Sequence, residues 1–279
     1  MPDKVAQVSE FPPRALIVTI YGLYARDAPG WLSVSSLIRL LAEMGVEEPA
    51  VRSAVSRLKR REILESRRID GVAGYALPLE GRAVLEEGDR RIFGRPPARL
   101  ADGWVLAVFS VPESERRRRH MLRSRLTSLG YGTVSPGVWV APAHLETETR
   151  DVLERHGLTT YIDLFHADHL AYGDVADHVA DWWDLEFLCA RYLEFVDAHT
   201  SMLAAWRRRQ TVDDEQAFRA YVQALTAWRR LPFLDPGLPD EVLPPDWPGI
   251  AAAELFASLR RRLSGPAARF VGGVVATVR

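Results

Sequence analysis

Residues 49–81 read PAVRSAVSRLKRREILESRRIDGVAGYALPLEG. Pro49 stands where the first turn of a helix tolerates proline, since the N–H it lacks has no partner there. The helix it opens is expected to run to about Arg61. On a helical wheel Arg52, Ser53, Ser56, Arg57 and Arg60 share one face, and Ala50, Ala54, Val55 and Leu58 share the other. One side suits packing and the other suits water or a charged partner. Residues 63–69, the turn-like run Asp70-Gly71-Val72-Ala73-Gly74 and residues 75–77 then read as a β-hairpin.

Two helices are expected upstream. Behind Pro12-Pro13, the residues Leu16, Ile17, Ile20, Leu23 and Tyr24 recur at helical spacing over 14–26. Ser33 is a suitable N-cap for a helix over 34–44, which Gly45 ends. Three helices followed by a hairpin is the order of a winged helix-turn-helix. A further helix over 79–92 leads to Arg95-Pro96-Pro97, a linker by composition.

Between Val51 and Arg68 the bases are Arg52, Arg57, Lys59, Arg60, Arg61, Arg67 and Arg68, against the acids Glu62 and Glu65, in a chain of formal net charge −1. A solvated charged face is one reading of such a run. Duplex DNA is the other, and the helix-turn-helix order before it favours DNA. The helix would then enter the major groove, with its serines keeping the surface low and its arginines shaped to grip guanine. Lys59 adds a phosphate contact from the same helix. Arg67 and Arg68 would form a wing on the backbone or minor groove.

The middle of the chain changes character. An apolar strand over 104–111, a helix over 113–129 ended by Gly130, and strands over 131–134 and 138–141 joined by Ser135-Pro136-Gly137 come first. A helix over 145–156 and a strand over 159–165 complete a β-α-β-β-α-β order, the ferredoxin-like split unit. Cas2-type endoribonucleases use that fold and hold a metal with an acid at the end of the first strand. Here that stretch is Val108-Phe109-Ser110-Val111-Pro112, with no carboxylate before Glu113. Consecutive arginines Arg116–Arg119 point in different directions on a helix, so they read as a solvated face or as support for an anionic partner. The cluster His166, Asp168, His169, Asp174, Asp177, His178 and Asp181 lacks the fixed spacing of a metal site, so no metal and no catalytic residue is assigned.

Beyond residue 168 the pattern is helical, with helices expected over 185–208, 214–230 and 254–263. Between the last two, Pro232, Pro236, Pro239, Pro244, Pro245 and Pro248 mean that the segment cannot be one helix or a central strand. Phe233, Leu238, Val242, Leu243 and Trp247 would anchor this segment as an ordered strap. The expected fold class is therefore α+β. It comprises a winged helix-turn-helix over 1–98, a ferredoxin-like (Cas2-like) domain over 99–167 and a helical C-terminal domain over 168–279.

The 279 residues are enough for two or three cores. The single cysteine, Cys189, is expected to be a buried thiol and excludes an intrachain disulfide. With no targeting peptide legible over residues 1–10 and no apolar run near the roughly 20 residues that span a bilayer, a cytoplasmic protein is expected.

Four stretches carry a resemblance to a known family: residues 51–64 (VRSAVSRLKRREIL), Tyr75–Arg82, residues 137–142 (GVWVAP), and the proline-rich signature RRLPFLDPGLP at 229–239 with LPPDWPG at 243–249. The chain resembles the PaaX-like regulators of phenylacetic acid catabolism. That resemblance implies a homodimeric repressor bound to double-stranded operator DNA, with no cofactor and no membrane. It also implies release by an aryl-CoA thioester such as phenylacetyl-CoA. Arg123, Trp139, Trp228 and Arg229 lie in or beside matched stretches and are the candidate effector residues. One departure is Arg61-Glu62-Ile63-Leu64, where relatives tend to have glycine and tryptophan before the wing. A Cas2-like metal-dependent nuclease and a constitutive DNA-binding protein are the alternatives.

Overall fold

The first helix forms where the apolar spacing places it, and its neighbours follow from caps. The computed structural model describes residues 11–26, 30–94, 98–170 and 172–277, so the linker expected at Arg95-Pro96-Pro97 lies outside the described residues, as do residues 1–10. Helix α1 (Pro13–Tyr24) starts on a proline, and a short strand β1 (Trp31–Ser33) precedes α2 (Val34–Ala42). The Ser33 hydroxyl accepts from the Ser36 N–H at 3.0 Å, which satisfies one of the free donors at the helix start. Gly45, at φ 72°, ends α2: Val46 N–H bonds Leu41 O and Gly45 N–H bonds Ala42 O, the paired closure of a Schellman turn.

Helix α3 (Glu48–Arg60) leads to strands β2 (Glu65–Ile69) and β3 (Val72–Ala76) and then to α4 (Leu79–Phe93). The three strands form one antiparallel sheet in the order β1-β3-β2. Ile69 pairs with Val72, so the hairpin turn is only Asp70-Gly71, at φ 49° and 81°. Both values are positive, as a two-residue type I′ turn requires. The longer turn expected over 70–74 is thus corrected. Strand β1 was not expected at all. The winged helix-turn-helix itself is present.

The second sheet is built from β4 (Trp104–Phe109), β5 (Gly132–Ser135), β6 (Val138–Pro142) and β7 (Ile162–Ala167). Helix α5 (Arg116–Leu129) follows β4, and α6 (Glu146–Arg155) follows β6. Strand order β5-β6-β4-β7, with every neighbouring pair antiparallel, is the ferredoxin-like arrangement. One face of the sheet meets Leu122, Leu126 and Leu129 of α5 and Val152 and Leu153 of α6. On the other face Trp104 and Val140 pack with Val179 of α7 (Val175–Trp182), Trp183, Leu238 and Val242.

The remaining helices are α8 (Leu185–Arg208), α9 (Asp214–Trp228), the single turn α10 (Leu231–Leu234) and α11 (Pro248–Ala276). Helix α11 corrects the expected 254–263 at both ends and passes through Ser264-Gly265-Pro266. An interior proline removes one helix hydrogen bond and costs about 3 kcal/mol. The buried stripe Phe256, Leu259, Leu263, Ala267, Val271 and Val274 keeps helical spacing across it and offsets that cost. In the strap, Leu238 and Val242 are buried as expected, but Phe233 is exposed and Leu231 takes the inward place. Cys189 is only partly buried.

Packing divides the chain into two compact units. One comprises Met1–Phe93, Phe195–Arg229 and Ala252–Arg279, and the other Gly94–Glu194 and Arg230–Ala251. The tail expected as one helical domain over 168–279 is therefore shared between them. Among the described residues no helix is long and apolar enough to cross a membrane.

Candidate nucleic-acid interface

Helix α3 buries Val51, Ala54, Val55 and Leu58, each at most 4% exposed. Ala50, expected on that face, is half-buried, and Val51 takes its place. Helices α1 and α2 both touch α3, so the apolar side is spent on the three-helix core. Arg52, Ser53, Ser56, Arg57, Lys59 and Arg60 are all exposed. The two faces are those that the wheel separates.

Their engagement differs. Arg52 is tied to Glu48 one turn back, with Nε 2.8 Å from Oε1. Among the described residues Arg57, Lys59 and Arg60 hold no ion pair and no side-chain hydrogen bond, and Arg61 is in the same position. Arg61 belongs to the same basic run but was not singled out as a site residue. Its exposure at the end of α3 adds it to the set.

The hairpin is anchored by a tryptophan. Trp31 Nε1–H donates to Arg67 O at 3.1 Å, and a Cβ at position 74 would lie 2.2 Å from that same Nε1. Gly74 is thus what lets the indole lie across β3. The Tyr21 hydroxyl donates to Tyr75 O at 2.9 Å, tying α1 to the same strand. Burial pushes that phenol well above its ordinary pKa, so it remains a donor. Strand β2 is the free edge of the sheet, and Arg67 and Arg68 are exposed on it. Arg68 Nη1 donates to Gly71 O at 2.7 Å and closes the turn, while the Arg67 guanidinium has no partner among the described residues.

The four candidate effector residues fall into two pairs, one in each compact unit. Arg123 lies over Trp139, its Cζ 5.9 Å from the ring centroid. Both line a cleft of about 430 Å³ with Phe109, Ser110, Arg119 and Gly137. Trp228 and Arg229 belong to the other compact unit. Trp228 is buried, stacked on Phe256 at 5.0 Å, and its indole N–H donates to Ile92 O. Arg229 Nη2 donates to Ala15 O at 3.2 Å. Their engagement is structural, and no face of Trp228 is open to a ligand.

The acids after β4 are also engaged. Glu113 pairs with Arg119, and Glu115 accepts from the Tyr161 hydroxyl. His169 and His178 have ring centroids 5.3 Å apart, and His178 stacks on Trp182. Among the described residues no group of three or more His, Cys, Asp or Glu side chains is placed to hold a metal.

Three family models match the chain in consecutive blocks. These are PaaX-like protein over residues 12–81, PaaX protein central Cas2-like domain over 97–179, and PaaX-like protein C-terminal domain over 183–273. Transcriptional repressor PaaX of Escherichia coli (strain K12) is 24% identical over 264 residues, covering 92% of this chain and 82% of that protein. Among solved structures, uncharacterized protein Rv0674 from Mycobacterium tuberculosis matches 95% of this chain and 98% of its own, at 22% identity and a TM-score of 0.56. That likeness is one of fold. With blocks that follow the winged helix, the antiparallel sheet domain and the helical tail in order, the chain belongs to the PaaX-like family.

Proposed function

We propose that this protein is a DNA-binding transcriptional repressor, with α3 lying in the major groove and the β2–β3 hairpin against the backbone or minor groove. The observation that carries the reading is the row of exposed cations Arg57, Lys59, Arg60 and Arg67, unpaired among the described residues, on a helix whose other face is spent on packing and on the hairpin that follows it. Arg52 reaches DNA only by leaving Glu48, and Arg68 only by leaving Gly71, so both are second to the unpaired set. Exposed Ser53 and Ser56 leave room for close approach. The repressor relative in Escherichia coli supports the same direction. On this reading the chain works as a homodimer on paired half-sites and performs no catalytic step.

The finer part of the proposal is release by an aryl-CoA thioester such as phenylacetyl-CoA, and with it control of aromatic catabolic genes. The cleft at Phe109, Arg119, Arg123 and Trp139 supplies apolar rings and cations in one place, which is what an aryl group and a phosphate require. Trp228 and Arg229 drop out of that proposal.

The test is fluorescence anisotropy on promoter DNA from the protein's own locus. Arg57→Ala with Arg60→Ala is expected to weaken binding by at least about 100-fold while the fold is kept. Retained affinity in that double variant would remove α3 from the interface. Phenylacetyl-CoA is expected to raise the melting temperature of the wild type and not of Arg123→Ala. An equal shift in both proteins would move the effector elsewhere.

A further inference from the structure

Six arginines cluster in sequence at two distant places, 207–209 and 260–262, in the helical tail. Both belong to the compact unit that holds the winged helix. Arg207 lies in the last turn of α8, while Arg261 and Arg262 lie in the middle of α11. Together with Leu203 and Ser258 these three arginines line a cleft of about 310 Å³. No carboxylate is among its lining residues.

The bland account is that basic residues favour a helix C-terminus, where they offset the helix dipole. It covers Arg207 and Arg208. It does not cover Arg261 and Arg262, which stand well inside a 29-residue helix. Nor do local acids neutralise the cleft: Asp214 is held by Arg269, and Glu215 by Arg219.

The donors are arranged but not all used. Arg262 Nη2 reaches Arg209 O at 2.6 Å, which fixes its guanidinium, yet its Nε–H is buried with no acceptor among the described residues. Arg261 Nη2 donates to Ser258 Oγ at 2.9 Å, leaving that hydroxyl's own proton free to donate onward. The Arg207 guanidinium has no partner among the described residues. Three like charges brought together, with spare N–H groups and a hydroxyl, suit an anion with several acceptor oxygens. Planar guanidinium forks match phosphate oxygens in pairs, which a point charge does not.

We propose that the cleft between α8 and α11 is a phosphate-binding site formed by Arg207, Ser258, Arg261 and Arg262. The phosphate comes either from a small phosphorylated molecule or from a nucleic-acid backbone. The site shares no residue with the α3 interface or with the Arg123–Trp139 cleft, and its case rests on neither.

Inorganic pyrophosphate and a random-sequence duplex are the two probes, used on the full-length protein. Arg207→Gln with Arg261→Gln is the variant, because both side chains are exposed and their loss leaves the core intact. Arg262 is kept, since it is half-buried. If the source is a small molecule, calorimetry at matched ionic strength shows saturable pyrophosphate binding that weakens about tenfold or more in the variant, with duplex binding unchanged. If the source is the nucleic-acid backbone, the slope of log affinity against log salt for the duplex falls by about 1.8. If the wild type binds no pyrophosphate and the duplex slope is unchanged, the proposal is overturned. It is also overturned if pyrophosphate binds both proteins equally and the slope stays the same. A protein that binds no duplex at all fails the repressor reading, while the pyrophosphate arm still decides this one.

Discussion

Residues 51–68 and residues 113–125 each contain six arginines, yet they stand on different scaffolds. In the second stretch Arg119 donates to Val111 O and pairs with Glu113, Arg118 reaches His156 O, and Arg123 lies over Trp139. In the first stretch Arg52 and Arg68 are engaged, while Arg57, Arg60, Arg61 and Arg67 meet no acceptor among the described residues, and in the second Arg116, Arg117, Arg123 and Arg125 likewise meet none. Arginine density therefore does not identify a nucleic-acid surface. What distinguishes the two is the scaffold. Each stretch has two arginines with an internal acceptor, Arg52 and Arg68 in one and Arg118 and Arg119 in the other, but only the first lies on a helix and hairpin in the winged-helix order.

Exchanging the charges is the strongest way to break this comparison. Replacing Arg57, Lys59, Arg60 and Arg67 by glutamine is expected to lower the log–log salt slope of duplex binding by about 3.6. Affinity at moderate salt should drop by roughly three orders of magnitude. Replacing Arg116–Arg119 by glutamine should change the slope by less than about 1. Anisotropy titrations across a salt series decide it, and equal slopes for the two variants would show that the helix and wing are not a preferred contact.

Next in size is the seat of the wing. Gly74→Ala places a methyl group 2.2 Å from Trp31 Nε1 and 2.4 Å from Leu32 O, one of them rigid backbone. The strand pair must part, at about 3 kcal/mol. Urea unfolding should show that loss, and DNA affinity should fall with it as the wing is displaced. Unchanged stability would mean that the Trp31 indole does not lie across β3 in solution.

Much of this frame is legible in the sequence, and the gaps have physical causes. The helices of the winged helix follow from 3.6-residue spacing with Ser33 and Gly45 as start and stop signals, and the structure keeps them. Strand β1 has three residues, too few to show alternation, and it runs directly into the Ser33 cap. The hairpin turn was expected to be longer because Gly74 resembles a turn residue, although its role is to clear the Trp31 ring. Reading the Asp70-Gly71 pair as a type I′ turn would have set the register correctly. Helix α11 was expected to stop short because Ser264-Gly265-Pro266 looks like punctuation. The apolar stripe running through Ala267, Val271 and Val274 was the better signal. Among the candidate site residues, Trp228 was placed by its neighbours in a conserved-looking signature. Burial, which a sequence shows only indirectly, places it in the core.

The converse of the charge exchange concerns stability. Arg119→Gln loses a bond of 2.7 Å to the partly buried Val111 carbonyl and an ion pair whose Glu113 side is mostly exposed. The hydrogen bond dominates, so about 1 kcal/mol is expected. The unpaired Arg57→Gln should leave the unfolding free energy within about 0.5 kcal/mol. A larger loss at Arg57 than at Arg119 would reverse the assignment of working and structural arginines.

The smallest effect lies at the hinge between recognition helix and wing. Helices α2, α3, α5 and α6 all end with the same pair of backbone bonds, from the residue after the turn back to the last helical turn. In three of them the left-handed position is Gly45, Gly130 or Gly157, at φ 72°, 93° and 60°. At the end of α3 it is Glu62, at φ 58°. A side chain in that region costs about 1–2 kcal/mol, and part of the gain on removing it is returned through the greater freedom of glycine in the unfolded chain. Glu62→Gly is therefore expected to stabilise the protein by about 0.5–1 kcal/mol in urea unfolding. It also removes one of two acids beside the cations, so duplex affinity should rise severalfold at low salt. Glu62→Ala separates the two causes, because it removes the same charge but retains the Cβ. It should bind duplex as Glu62→Gly does and gain no stability. If both variants were stabilised equally, relief of charge crowding rather than backbone strain would govern this turn.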